Sequence, residues 1–196
     1  MIDDFAKSYL HNDLQWIRKV MLSKLDGLSE YDVRRPLTTT GTNLLGLVKH
    51  LAATEARYFS EIFDRPSPWP LPRWDSDEAW SSDAMWAAEH ETRTAIIDRY
   101  RLAGEFTDAT VNALPIDAPG HVPWWPRPNV KLFNIMVHVL TETNRHAGHA
   151  DILREHLDGT VGAGLDPKPL HGQPPAYWTT LRATIEQAAQ SASKPH

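Results

Sequence analysis

The sequence predicts an all-α fold: a four-helix bundle with long Pro/Trp-rich connections and a short C-terminal helix. Apolar residues recur at spacings of three and four in four long segments, as on the buried face of a helix. No stretch alternates between apolar and polar residues over the length of a strand. We therefore expect a bundle at residues 1–158, and a Gly- and Pro-rich linker with a helical extension at residues 159–196.

The first helix is predicted over about residues 3–24, where aromatic and aliphatic residues recur mostly at helical spacings. The second is predicted over about residues 42–63 and begins near Thr42 or Asn43, since either side chain can cap a helix. Gly27 interrupts the helical pattern between them. A loop follows the second helix because prolines, which cannot continue a helix, alternate with other residues at positions 66, 68, 70 and 72.

The third helix is expected to start within residues 76–83 and to reach about residue 112. Acidic residues near that start suit the positive end of the helix dipole. A second Pro/Trp-rich loop separates it from the fourth helix, which is predicted over about residues 129–157 and ends before Gly159. A final short helix is expected over about residues 176–191, and its apolar face consists of Trp178, Leu181 and Ile185.

The composition excludes several classes of protein. The net charge is −5 with acids and bases interspersed, which argues against a nucleic-acid partner. No apolar run approaches the roughly 18–20 residues that a membrane span needs. The N-terminus has no export signal, so we expect a cytoplasmic protein with no membrane partner. The 196 residues include no cysteine, so any thiol in the chemistry must come from a small molecule.

The fourth predicted helix carries polar residues along its buried side. Its core positions are spaced alternately by three and four residues, which forms one continuous seam: Leu132, Ile135, Val139, Glu142, His146, His149 and Leu153. A buried carboxylate needs a hydrogen bond, an ion pair or a metal. Glu142 and His146 are one turn apart, with Cβ atoms about 5–6 Å apart, so both can reach one ion. The alternative is a buried Glu–His pair without a metal.

One helix cannot complete such a metal site. His138 cannot share an ion with His146, because eight residues of helix separate the two by about 12 Å. A third ligand must come from another helix, and His50 at the edge of the second helix's apolar stripe is the best candidate. His90 on the third helix is the second choice. His149 is a candidate for a fourth ligand, a hydrogen-bond partner or a proton donor.

Two segments resemble the DinB/YfiT-like superfamily of metal-binding four-helix proteins, and within it the actinobacterial branch that includes mycothiol-dependent enzymes. They are residues 44–59, LLGLVKHLAATEARYF, and residues 137–155, VHVLTETNRHAGHADILRE. The resemblance covers about residues 3–158. In that family, one His on the second helix and two residues spaced four apart on the fourth hold a divalent metal, which implies His50, Glu142 and His146 as ligands. Many members have His at the position of Glu142, and a Glu there is similar to mycothiol-dependent maleylpyruvate isomerases.

Three protein ligands leave a position for water or substrate, as in catalytic zinc sites. Such a metal can activate a coordinated thiol, which here must come from a small molecule. Together with the resemblance, this implies a divalent-metal-dependent thiol S-transferase or thiol-dependent isomerase that uses a low-molecular-weight thiol such as mycothiol and an electrophile. Zinc is the expected metal, with Ni²⁺ and Fe²⁺ as alternatives. His149 is the catalytic candidate, acting as an acid or base or as a hydrogen-bond partner of a ligand.

Other functions fit parts of the same pattern. Two His and a carboxylate also bind iron, so a non-haem iron enzyme of the same superfamily is one alternative. A non-catalytic, metal-stabilised interaction or stress-response bundle is another. A homodimer is the assembly that the resemblance suggests. Four tryptophans from the two loops are candidates for the walls of an electrophile pocket: Trp69, Trp74, Trp124 and Trp125.

Overall fold

The computed structural model describes residues 4–162, 164, 168–169 and 173–193. It is mostly helical with little strand, which confirms the all-α class. The helices are α1 (Asp4–Ser23), α2 (Glu30–Arg34), α3 (Leu44–Phe59), α4 (Arg93–Ala113), α5 (Leu132–Asp158) and α6 (Pro175–Ala192). Within the described residues, none of the helices is both long enough and apolar enough to cross a membrane.

The helices α1, α3, α4 and α5 pack around a common core. α3 lies along α4 and against α5, while α1 lies along α5 and touches α4. Their apolar faces meet at fully buried side chains, among them Leu14, Leu47, Tyr100 and Ile135, one from each helix. A fully buried aliphatic side chain contributes about 1.5–3 kcal/mol. The burial of these faces, more than helix propensity, therefore stabilises the fold.

A buried ion-pair network links three of these helices. Arg18 of α1 pairs with the buried Glu55 of α3, and its Nη1 lies 2.7 Å from a carboxylate oxygen of Asp108 on α4. Asp108 also accepts a hydrogen bond from Gln15 at 2.8 Å and lies 2.9 Å from Nε2 of His11. A buried charge without its partner is costly, so this network disfavours any other alignment of α1 with α3 and α4.

The predicted start of the second helix is confirmed. The side chain of Asn43 accepts a hydrogen bond at 2.8 Å from the backbone N–H of Gly46 and so caps α3. The helix ends earlier than predicted, at Phe59. A single 3₁₀ turn, Glu61–Phe63, follows it, and Asp64 then reverses the chain with a positive φ of 53°.

The third helix begins later than the sequence indicates. α4 starts at Arg93, where the Thr92 side chain caps it by accepting a hydrogen bond from the backbone N–H of Ala95 at 3.1 Å. The segment assigned to its first turns instead forms two short 3₁₀ turns, Asp77–Trp80 and Ser82–Met85. The acidic residues there were a misleading signal, because they suit the start of a short turn as well as that of a long helix.

A single lysine explains where this segment lies. Lys49 of α3 donates hydrogen bonds at 2.9 Å to the backbone carbonyls of Asp83 and Trp86. The same ammonium group lies 2.7 Å from the Glu91 carboxylate. These bonds hold the segment across α3, where it cannot extend α4. His90, which we expected on the third helix, therefore lies in an exposed turn before α4.

Short strands are present, although the sequence predicts none. β1 (Pro119–His121) pairs antiparallel with β2 (Asn129–Lys131), and β3 (Thr160–Val161) pairs antiparallel with β4 (Lys168–Pro169). The fourth helix consequently begins at Leu132, three residues after its predicted start. Strands of two or three residues are too short for an alternating pattern to be visible in a sequence.

The predicted C-terminal helix is present as α6. Trp178 and Leu181 of its apolar face are partly buried, whereas Ile185 is 59% exposed. No residue of α6, all of which the structure describes, is buried. The division of the chain into a bundle at 1–158 and an extension at 159–196 stays a prediction.

Candidate metal centre

The helix α5 places only part of the predicted seam in the core. His146 is buried, Glu142 is half-buried and His149 is exposed, so the expectation that all three lie in the core is wrong. An α-helix has 3.6 residues per turn, and its buried line drifts by about 20° per heptad from a seam of period 3.5. Along this line Thr143 and Ala150 take the core positions that the seam gave to Glu142 and His149.

Three predicted residues meet between α3 and α5. The ligand atoms of His50, Glu142 and His146 all lie within 4.8 Å of one another. Glu142 Oε1 lies 3.0 Å from Nε2 of His146 and 3.5 Å from Nε2 of His50. The two imidazole rings meet edge to face, with 4.9 Å between their centroids. The structure therefore brings His50 of the second predicted long helix to the pair on the fourth, as the sequence indicates.

The surroundings of the three groups set their protonation. Burial lowers the pKa of His50 below its ordinary value. Burial also lowers the pKa of His146, and the nearby charge of His50 adds to this effect. Burial alone would raise the pKa of Glu142, but the charge and hydrogen bond of His146, with those of His50, hold it below its ordinary value. Near neutral pH these directions favour two neutral imidazoles and an ionised carboxylate.

The chemistry of this donor set fits a divalent metal. Two imidazole nitrogens and one carboxylate oxygen form the ligand set of several catalytic zinc sites. Metal binding requires neutral histidines and an ionised carboxylate, which are the forms that the pKa directions favour. A Glu–His pair without a metal would need only Glu142 and His146. His50 nevertheless faces the same carboxylate oxygen from another helix.

His149 lies beside His146 and outside the three-donor group. The Nδ1 atoms of the two rings are 3.3 Å apart, and the ring centroids are 5.3 Å apart. His146 thus directs Nε2 towards Glu142 and Nδ1 towards His149. Of the roles left open by the sequence, a hydrogen bond to a ligand is the one that this contact favours.

His138 and His90 both lie apart from the donor group. His138 sits between the rings of Tyr58 and Trp125, with centroids 4.7 Å from each. Helix rise had already separated it from His146. His90 is exposed in the turn before α4 and is not in the donor group.

A cleft of about 260 Å³ opens beside His50, and its walls include Tyr58, Met85 and Trp124. Trp124 thus lines a cleft beside the donor group, and its place in an electrophile pocket stays a prediction. Trp74 packs against Trp124, and Trp125 donates a hydrogen bond at 3.2 Å to the Tyr58 hydroxyl. Trp69 contributes to a different, small cavity.

Several residues of this cleft are not among those that the sequence predicts. Thr54 and Arg57 follow His50 by four and seven residues, so all three share one face of α3. That spacing was the available signal for both residues. Met85 could not be found in this way, because the 3₁₀ turn that carries it reaches α3 through contacts between residues distant in the sequence.

Fold and site together define an all-α protein with a candidate three-donor metal centre between two helices and an apolar cleft beside it. The sequence model of the mycothiol S-transferase family matches residues 9–159. The chain belongs to this family. The match includes the donor group and His149 and leaves α6 outside. A comparison with curated proteins found no match.

Proposed function

We propose that this protein is a divalent-metal-dependent mycothiol S-transferase, with zinc as its metal. The family supports a thiol-transferase role with a small-molecule thiol substrate. The metal dependence is our addition. The observation that carries it is the convergence of His50, Glu142 and His146 from two helices. In this proposal the protein supplies the ligands and the small molecule supplies the thiol, in accord with a chain that has no cysteine.

The proposed roles of the residues follow from their positions. His50, Glu142 and His146 would hold the metal. A divalent metal bound there would lower the pKa of a coordinated thiol, so that a thiolate would be available at neutral pH. With His146 on the metal through Nε2, its Nδ1 would carry the proton and would donate it to Nδ1 of His149, which lies 3.3 Å away. The exposed ring of His149 is placed to exchange protons with solvent, and this is the catalytic role that we propose for it.

Finer points of organisation are part of the proposal. The mutual packing of α1, α3, α4 and α5 supports a four-helix bundle. We place this bundle at residues 1–158 and the extension at 159–196, and the end of the family match at residue 159 supports that boundary. A homodimer and a cytoplasmic location remain predictions.

Two further functions share the same donor set. A thiol-dependent isomerase would use the same metal and thiol on a different electrophile. A non-haem iron enzyme is favoured by the two-His, one-carboxylate composition. A non-catalytic metal-stabilised bundle is less compatible with the site, because three protein donors leave a position open, whereas structural zinc sites are usually closed by four.

Metal analysis of purified variants tests the ligand assignment. We expect about one zinc per chain in the wild type, and a marked loss of metal in Glu142→Ala and His50→Ala. His90→Ala is the matched control, since it removes an exposed histidine away from the site. Metal content that is unchanged in both site variants would refute the assignment.

Activity is tested separately from metal content. Incubation of the wild type with mycothiol and an electrophile should give the S-conjugate, identified by mass spectrometry. Iron in place of zinc, with oxygen-sensitive spectra, would favour the non-haem iron alternative. Bound metal without thiol chemistry towards any electrophile would favour the non-catalytic one.

A further inference from the structure

The cleft beside His50 indicates the class of electrophile that the site accepts. It lies between α3 and the segment of residues 71–85, and its volume is about 260 Å³. This is just below the roughly 300–1,000 Å³ of pockets that hold drug-sized ligands, so it suits a molecule of about one ring. Most of its walls are apolar: Ala53, Leu71, Pro72, Ala79, Ala84 and Met85.

One end of the cleft is aromatic. The rings of Tyr58 and Trp124 pack edge to face with 5.8 Å between their centroids. The indole N–H of Trp124 points to the Tyr58 hydroxyl at 3.4 Å, which fixes the orientation of both rings. Aromatic walls of this kind favour a flat, polarisable ligand, because stacked or edge-to-face aromatic rings attract each other beyond the effect of the area that they bury.

The arginine that lines the cleft is already paired. Arg57 Nη1 donates to Glu61 Oε2 at 3.1 Å, and Nη2 donates to the backbone carbonyl of Pro72 at 2.7 Å. The guanidinium therefore ties the Pro-rich loop to α3 and is already neutralised by a carboxylate. It is not available as a receptor for an anionic substrate.

The remaining charged group of the lining works against an anion. Glu78 is exposed at the rim of the cleft. Lysine is absent from the lining within the described part of the chain, and His50 is committed to the donor group in the proposed function. A carboxylate that entered the cleft would lose water without gaining a lysine or an unpaired arginine of the lining as its partner, which is unfavourable.

We infer that the electrophile is a small, flat, uncharged molecule that binds in this cleft, with its reactive carbon towards His50. The inference rests on the proposed S-transferase function and sharpens it. It favours S-transfer to an uncharged aromatic or conjugated compound over isomerisation of a dicarboxylate. With an aryl chloride, the thiolate sulfur forms a bond to the ring carbon, and the C–Cl bond breaks. Chloride leaves with the bonding electron pair, and the thiol proton is released to solvent.

Two matched pairs of probes test the inference. Chlorodinitrobenzene and its ring-carboxylated analogue chlorodinitrobenzoate are reactive, and their rates with mycothiol are corrected for the uncatalysed reaction. Dinitrobenzene and dinitrobenzoate have no leaving group and report binding alone by isothermal titration calorimetry. With the wild-type protein, we expect the uncharged member of each pair to bind at least about tenfold more tightly and to react at least about tenfold faster.

A variant that frees Arg57 from its carboxylate partner tests why the cleft prefers the uncharged probe. Glu61→Ala removes the carboxylate partner of Arg57, so the guanidinium becomes available and dinitrobenzoate should bind several-fold more tightly. The affinity for dinitrobenzene should stay within about twofold. Glu89→Ala is the matched control, because it removes an exposed carboxylate outside the cleft. The ratio of its affinities for dinitrobenzene and dinitrobenzoate should equal that of the wild type.

The results of these experiments distinguish a failure of this inference from a failure of the proposed S-transferase function. Equal or tighter binding of dinitrobenzoate to the wild type overturns the inference, as does an absence of binding by both unreactive probes. If dinitrobenzene binds selectively but no electrophile accepts the thiol, the cleft assignment stands and the S-transferase function fails. A response of Glu89→Ala equal to that of Glu61→Ala overturns the role given to Arg57.

Discussion

Zinc should raise the melting temperature of the wild-type protein if the donor group binds it. A ligand that binds only the folded state adds about 2.7 kcal/mol of stability when its free concentration is about one hundred times its Kd. For a chain of this size, each kcal/mol shifts the melting temperature by about 2–4 °C, so the expected shift is about 5–11 °C. Differential scanning fluorimetry in zinc and in chelator measures this difference.

The structure indicates which variant should abolish the shift. Glu142 Oε1 contacts both imidazoles, at 3.0 Å and 3.5 Å, so Glu142→Ala removes one of three donors and the group that joins the other two. We expect a zinc-dependent shift below about 2 °C in this variant, as its zinc affinity falls. His90→Ala should keep the full shift. Equal shifts in Glu142→Ala and the wild type would refute the reasoning, because zinc would then stabilise the protein from another position.

Three further predictions concern the surrounding network. His149→Ala should lower the zinc affinity about 10–100-fold, because Nδ1 of His146 loses its hydrogen-bond partner. His149→Asn should lose less, because its amide can still bond that nitrogen. Equal losses in the two variants, measured by zinc titration, would contradict the hydrogen-bond role. Glu55→Ala should lower the free energy of urea unfolding by about 3–5 kcal/mol, because the buried Arg18 loses one of its two carboxylate partners. Asp98→Ala, which breaks an exposed ion pair, should cost under about 1 kcal/mol. Burial would raise the pKa of the Asp108 carboxyl, but the charge of Arg18 holds this pKa below its usual value of 3.8. The ionised carboxylate therefore stabilises the fold above pH 3.8, and this stabilisation is lost as the pH falls through the lower pKa of the folded protein. In Asp108→Asn, the free energy of unfolding should depend less on pH in this range.

The parts that the sequence predicted correctly depend on local geometry. Glu142 and His146 are one helical turn apart, and any α-helix places such a pair on one side. The N-cap of α3 at Asn43 is likewise a short-range feature. Placing His50 beside this pair required one further step: a metal site with two donors on one helix would need a third donor from another helix, and His50 lies at the edge of an apolar stripe. That the three residues bind a metal stays a prediction.

The parts that were missed depend on contacts between distant residues. Lys49 of α3 holds residues 83–91 through hydrogen bonds that span 34 to 42 positions, so no local pattern could show that the third helix starts at Arg93. The pairing of β1 with β2 removed the first turn predicted for the fourth helix. The exposure of His149 reflects the difference between periods of 3.5 and 3.6, which accumulates over several turns.

Gly46 shows how α3 and the cleft depend on each other. A Cβ at this position would overlap the backbone carbonyl of Met85, which is a wall of the cleft. Gly46→Ala should therefore displace the Ser82–Met85 turn and weaken dinitrobenzene binding, although alanine is intrinsically the better helix former by about 1 kcal/mol.

Gly148→Ala is the matched control for that substitution, since nothing lies within 4 Å of a Cβ at Gly148 on the exposed side of α5. It should gain up to about 1 kcal/mol in urea unfolding and leave dinitrobenzene binding unchanged. Zinc content should be unchanged in Gly46→Ala, because His50 lies one helical turn beyond position 46 on α3. The reasoning would be wrong if Gly46→Ala gained as much stability as Gly148→Ala and bound dinitrobenzene normally. The position of the Ser82–Met85 turn would then not depend on the close approach of the Met85 carbonyl to Gly46.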